Sequence, residues 1–277
     1  PDVAGPIVVY DSGSVDLPAG ADLMIAATEN VFLGESAVQL VVLDPAEANP
    51  LLDTNTPAGA VAVHLGPDAP AVDILADVGS TPEDEAIKLV ENVSYTEFCS
   101  LENIGAPETY TLSVVATGDT TSVLDIPFTA EPNEAATVIV SGLLGTDTLQ
   151  AIPLGIDGRS VFTEAKVRIT HGSPSTPNVD LYILPEGTMI GDEGVAPLFT
   201  DVPFGADTGV LSVDTEQNLD IYVTAAGDTT PAISVTGFNP EPGMVLDVVA
   251  RDATGMEMGP QVLVIDYENL TPCAVAP

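Results

Sequence analysis

The stretches VHLGPDAPAVDIL (63–75) and THGSPSTPNVDLY (170–182) carry one phrase twice. His64, Pro67, Pro70 and Asp73 return as His171, Pro174, Pro177 and Asp180, each 107 residues later. Four positions moving together by one offset mark a duplicated unit rather than chance, and self-similarity at a fixed period is the first thing to settle in a chain of this kind.

The repeat extends outward from that phrase. VVATGDTTSVL (114–124) returns as VTAAGDTTPAI (223–233), and FTAEPN (128–133) as FNPEPG (238–243). Offsets of 109 and 110 at these sites show drift by small loop insertions only. At the front of the chain, VDLPAGADLMIAATE (15–29) resembles the segment downstream of each GDTT turn, with Pro18 in the place of Pro132 and Pro242. AVQLVVLD (37–44) then stands where TLQAIPLG (148–155) and GPQVLVID (259–266) stand later. The chain therefore divides into the back half of one repeat, 1–57, and two whole repeats, 58–162 and 163–277.

Segments such as TYTLSVVAT, ATVIVSGLL, LDIYVTAAG and QVLVIDY are short and rich in Val, Ile, Thr and Tyr, and Gly-Asp, Pro-Asn and Pro-Gly punctuate them. That is strand-and-turn patterning, not the 3.6-residue period of a helix. Six to eight antiparallel strands fit each repeat, and the fold expected is all-β, with tandem immunoglobulin-like antiparallel β-sandwich domains. The Cys-Trp-Cys core of a true immunoglobulin domain is missing, since the chain has no Trp. STPEDEAIKLV (80–90) is the one stretch that suits a helical turn, with Pro82 ahead of three acids, or else an acidic loop.

A strand ending in His, a Pro-x-x-Pro-x-Val-Asp phrase and a later strand with an A-x-G-D turn resemble the domain of unknown function family 4397. The resemblance covers about 60–267 as two copies and the first 57 residues as a truncated third. It implies a β-sandwich module of secreted and surface proteins, often in tandem, with no assigned reaction. Members often carry Arg or Lys three residues before the His; here the second copy has Arg168 and the first has Val61.

Composition narrows the function. The 277 residues hold 42 Asp and Glu against five Lys and Arg, a net charge of -37, while 45% hydrophobic residues allow a sizeable core. Nucleic acid is excluded as a partner, because phosphate binding draws on Lys and Arg to release counterions. An anionic membrane surface repels such a chain, and its longest apolar runs are too short to insert. Self-repulsion is relieved by salt, so a saline or divalent-rich exterior suits this surface. The chain opens PDVAGPIVVY with no initiator Met, as a processed product or a piece of a longer protein would. Cys99 and Cys273 allow one disulfide, within or between chains, and fit secretion.

Two readings of the doubled phrase compete. His64 and His171 could be bases or metal ligands oriented by Asp73 and Asp180. Alternatively the prolines fix a tight connection, the His ring satisfies loop carbonyls and the Asp accepts amides across the turn. No Ser or Cys nucleophile recurs in the phrase, and no G-x-S-x-G, H-E-x-x-H or P-loop motif is present. The structural reading is therefore the expectation, with no enzyme and no cofactor. GDTT at Gly118 and Gly227 reads as a hairpin turn. Acidic clusters at Glu83, Asp84 and Glu85 and at 214–220 offer the oxygens calcium prefers, without an EF-hand loop. Asn92 and Asn269 begin N-x-S/T sequons. A half repeat leaves open edges that need covering. The expected function is an extracellular structural subunit, self-associating head to tail into a surface filament or layer by β-strand complementation. The alternative is a monomeric surface adhesion or glycan- or protein-binding module.

Overall fold

The structure, a computed structural model, describes residues 8–16, 19–20, 22–29, 36, 38–43, 48–78, 86–156, 160–267 and 269–274. Glu83, Asp84 and Glu85 lie outside the described residues. Among the described residues all regular structure is β, apart from one 3-10 turn at Leu144–Thr146.

The front of the chain forms a three-stranded sheet of β1 (Met24–Glu29), β2 (Val38–Leu43) and β3 (Ala48–Leu51), in that order. The first whole repeat contributes β4 (Ala58–Leu65), β5 (Val72–Val78), β6 (Ile87–Val93), β7 (Phe98–Ile104), β8 (Glu108–Ala116), β9 (Ser122–Ala130), β10 (Ala135–Ser141) and β11 (Gln150–Gly155). The second contributes β12 (Glu164–His171), β13 (Val179–Pro185), β14 (Phe199–Val202), β15 (Leu211–Asp214), β16 (Leu219–Ala225), β17 (Pro231–Phe238), β18 (Val245–Arg251) and β19 (Gln261–Asp266). Of the stretch 80–90 that suited a helical turn, 80–85 lie outside the described residues, and its end from Ile87 belongs to β6, paired with β5.

Each whole repeat is two four-stranded sheets, and the two repeats match strand for strand. One sheet of each runs β11-β10-β4-β7 and β19-β18-β12-β15; the other runs β6-β5-β8-β9 and β14-β13-β16-β17. The pairing is not wholly antiparallel as expected. β4 and β10 pair parallel, and so do β12 and β18, so the first and seventh strands of each repeat lie side by side at the centre of a mixed sheet. Parallel neighbours need a long crossover, which the intervening strands supply.

Side-chain alternation explains how the sheets stack. In the first repeat Ala62, Val72, Ile74, Val90, Leu112, Val114 and Val140 fill the space between its two sheets. Val167, Ile169, Leu181, Ile221, Val223 and Ala250 do the same in the second. The opposite faces of the mixed sheets are also apolar: Val61, Val63 and Leu65 of β4, with Ile139, Ile152 and Leu154, meet Val249 and Ile265 of the second repeat. At about 1.5–3 kcal/mol for each fully buried large aliphatic side chain, this third cluster is a core of its own. The repeats are joined back to back as four layers, and every residue of β4 is buried.

Two further links fasten them. Arg168 stands directly across from Asp247 in the parallel β12–β18 ladder. Its guanidinium grips that carboxylate through Nε at 2.9 Å and NH2 at 2.5 Å, while NH1 donates to Gly155 O of the first repeat at 2.8 Å. Tyr267 also donates to Asp247 and meets Thr137 of the first repeat at 2.6 Å. The second link is the disulfide Cys99–Cys273, which joins β7 to a segment beyond β19. Ser100 N donates to Thr271 O and Cys273 N to Ser100 O, both at 2.9 Å, so that segment adds a short strand to the edge of β7.

Candidate functional site at the paired proline turns

β4 delivers His64 to the end of its sheet, and the chain must then cross to the other sheet to start β5. Pro67 sits second in the turn, where its fixed φ is preorganised, and Ala69 N closes back on Gly66 O at 3.2 Å. The His64 ring is 1% exposed. Its Nε2 donates to Pro70 O at 3.0 Å, and its Nδ1 accepts from Gly66 N at 3.2 Å. Those partners fix the neutral tautomer, and burial lowers the imidazole pKa. In the second repeat Thr176 N closes on Ser173 O, and His171 Nε2 donates to Pro177 O at 3.1 Å. Burial again lowers its pKa, and Nδ1 is buried without a partner among the described residues.

The aspartates do something separate from the histidines. Asp73 accepts from Asn92 N at 2.9 Å, Thr117 Oγ1 at 2.9 Å and Lys88 Nζ at 2.8 Å. Burial pushes its pKa up, but Lys88 and the other donors outweigh that and hold the carboxyl below its ordinary value. Asp180 accepts from Asp201 N at 2.8 Å and Gly227 N at 2.9 Å. Asn92 and Asp201 both have positive φ, 56° and 55°. Each aspartate thus holds the amide of a left-handed residue on the neighbouring edge strand and ties it to the hairpin on its other side. The GDTT turns are equally self-contained: Asp119 accepts from Thr120 N and Thr121 N, and Asp228 from Thr229 N and Thr230 N.

Back-to-back packing brings the two proline turns to one end of the molecule. Ser141 Oγ lies 3.0 Å from Leu65 O and 2.8 Å from Gly172 O, bridging the ends of β4 and β12. Tyr95 of the first repeat donates to Asp252 O of the second at 2.8 Å. Asp252 accepts from Ser173, and Asp68 accepts from Leu144 N and Gly145 N at 2.7 and 2.8 Å. Between the turns lies an open crevice of roughly 540 Å³, walled by Pro67, Asp68, Leu143, Thr176, Asp252 and Pro260.

One rim of the crevice is a braced loop. Arg251 NH1 and NH2 clamp Glu257 at 2.8 and 2.9 Å, and Thr254 N donates to the same carboxylate at 2.6 Å. Those donors pull the Glu257 pKa down to about 2. The bracing leaves Met256 99% and Met258 92% exposed. The doubled phrase pointed to this end of the fold, but Ser141, Tyr95, Arg251 and Asp252 were not legible as its partners, because none of them lies in the phrase. Among the described residues no group of three or more His, Cys, Asp and Glu could hold a metal ion. Within 214–220, Asp214 accepts from Glu216 N, and Asp220 from Gly187 N and Gly237 N. No described helix is long and apolar enough to cross a membrane.

Fold and site together define a disulfide-linked, all-β repeat protein whose recurrent polar residues hold turns and bulges. Residues 58–182, from β4 into β13, are a domain of the family described as "Domain of unknown function (DUF4397)". No curated protein matches the chain. Among solved structures, the chain is similar to CBMbc (family CBM26) from Eubacterium rectale Amy13K in complex with maltoheptaose. The identity is 12% over 74% of this chain and 95% of that one, with a TM-score of 0.23, at which nothing about fold or ligand carries over.

Proposed function

We propose that this chain is an extracellular surface protein that acts by binding a protein partner and has no catalytic centre. Two immunoglobulin-like sandwiches, stacked sheet on sheet, are the rigid support, and the end formed by the paired proline turns is the binding end. The observation that carries this reading is the crevice between the turns, with its braced, methionine-bearing rim. Thioethers held in water offer adaptable apolar contact, and the loop that carries Met256 and Met258 supplies Asp252, Ala253, Gly259 and Pro260 to the crevice wall. No aromatic side chain is among the described residues lining the crevice, which favours a protein over a glycan. A disulfide belongs to an oxidising compartment, and the charge of -37 disfavours nucleic acid and lipid surfaces.

The test is saturable binding of the labelled chain to cell-surface material in 0.5 M salt, repeated after protease and after periodate treatment. Binding is expected to vanish with protease and to weaken about tenfold in the Met256→Ser, Met258→Ser double variant. Non-saturable binding, or binding indifferent to the double variant, ends the reading, and loss to periodate alone moves it to a glycan.

A second reading, favoured by β1 pairing with β2 alone among the described residues, is a subunit of a surface filament or layer assembled head to tail by strand complementation. Discrete single particles at every concentration under negative stain would remove it.

A further inference from the structure

Strand register aligns an edge strand of one repeat with that of the other. Val72 of β5 faces Val93 of β6, and Val179 of β13 faces Val202 of β14. Asn92-Val93-Ser94-Tyr95 therefore stands where Asp201-Val202-Pro203-Phe204 stands in the second repeat. The rings agree: Tyr95 meets His64 edge-on at 6.3 Å, and Phe204 meets His171 at 6.2 Å. So do the turns that follow, where Glu97 N donates to Ser94 O and Ala206 N to Pro203 O. At the first position the fold asks for a left-handed residue, and Asn and Asp meet that equally, at φ 56° and 55°. At the third it takes Pro as readily as Ser. Neither the carboxamide of Asn92 nor the hydroxyl of Ser94 is required by the architecture the repeats share.

Both groups are also unused within the fold. Asn92 is exposed, and among the described residues neither its side-chain amide nor the Ser94 hydroxyl makes a hydrogen bond; their backbone amides do, to Asp73 and Glu97. Together they form an N-x-S sequon, in which the hydroxyl two residues on is read beside the amide when a sugar is attached. The second sequon is placed otherwise. Asn269 Nδ2 donates to Asp266 at 2.7 Å, Thr271 O accepts from Ser100 N, and Cys273 is disulfide-bonded two residues later. That backbone is held as a strand on β7, with no slack to bend into an enzyme's site.

We infer that Asn92 is the attachment site of an N-linked oligosaccharide. The step is a transfer from a lipid-phosphate-linked sugar donor. Asn92 Nδ2 bonds to the anomeric carbon and gives up a proton, the C–O bond to the phosphate breaks, and the lipid phosphate leaves with the bonding pair. The sugar stands one residue from the end of the edge strand β6. Its neighbour Glu91 donates from N to Ala274 O, in the segment that also pairs with β7. A bulky, hydrated group there keeps the end of β6 from pairing with a strand of another molecule.

The site rests on the extracellular part of the proposed function, since such sequons are modified in secreted chains, and it is tested apart from it. The protein made by its own cells is recovered, reduced and cleaved after glutamate, which separates residues 92–97 from the peptide that begins at Asn269. Mass spectrometry is expected to find the first carrying added sugar mass and the second at its sequence mass. Asn92→Asp, which installs the second repeat's own residue, and Ser94→Ala are each expected to remove the added mass, and Ser94→Thr to keep it. An unchanged melting transition shows that each variant folds. A bare 92–97 peptide, or sugar on the Asn269 peptide alone, overturns the site, and so does sugar on 92–97 that survives Asn92→Asp. Bare Asn92 on protein recovered outside the cell removes the site and leaves the surface function standing. Bare Asn92 on protein found only inside the cell removes both.

Discussion

An imidazole that is buried and donates from Nε2 to a proline carbonyl is neutral, and the chain's only two histidines are both of this kind. Their folded pKa values lie below the unfolded value of about 6.5. As pH falls through that value the unfolded chain takes up protons that the folded chain refuses. Stability is thus full above about pH 6.5 and is lost as pH falls below it. With no other histidine to share it, the slope between pH 6.5 and 5 is bounded at about 2.7 kcal/mol per pH unit for two protons. Asp73 and Asp220, held below their ordinary value, lose their contributions only at lower pH, below about 4. Urea midpoints measured from pH 8 to 5 check this, and a level profile across that range would refute it. The recurrence of His and Asp was legible because both copies used the same words. What each residue holds was not, because the left-handed amides of Asn92 and Asp201 leave no mark in sequence.

At the scale of the strand, the informative pair is β12 and β18. Arg168 and Asp247 are cross-strand neighbours, where the first repeat has Val61 across from Thr137. Burial opposes the Arg168 charge, but Asp247 outweighs it and the guanidinium stays firmly charged. Arg168→Met alone leaves a buried carboxylate with too few donors and is expected to cost about 3–5 kcal/mol. Adding Asp247→Leu is expected to restore most of that loss, because a matched apolar pair removes the unpaired charge. Chemical denaturation of the single and double variants measures the difference, and equal losses in both would count against the account. Arg168 stands out in the sequence as the cation ahead of the second His; its partner Asp247 shows there only as a lone acid among the apolar residues of β18. AGAVAVHL in β4 carries a further signal. A strand apolar at consecutive positions is covered on both faces, so the run itself announces a layer in the middle of a stack. Parallel pairing was beyond reach, since β4 and β10 lie more than 70 residues apart in the chain.

For the molecule as a whole, the two repeats act as one body through the third cluster, the buried ion pair and the disulfide. The disulfide spans 174 residues, and closing a loop of that length in the unfolded chain corresponds to about 5 kcal/mol in the chain-entropy estimate. The Cys99→Ser, Cys273→Ser double variant is expected to melt at lower temperature. It is also expected to lose residues beyond Leu270 to protease first, as the added strand comes off β7. Mass spectrometry of timed digests reads this directly, and a tail as resistant as that of the oxidised protein would contradict it.

The strand at Thr271–Cys273 also sets an order of events. A ribosome makes Cys99 174 residues before Cys273, so that edge of the first repeat stays bare while the whole of the second repeat is synthesised. The repeat begun first is therefore sealed after its successor, and removing Thr271–Cys273 would damage the earlier of the two.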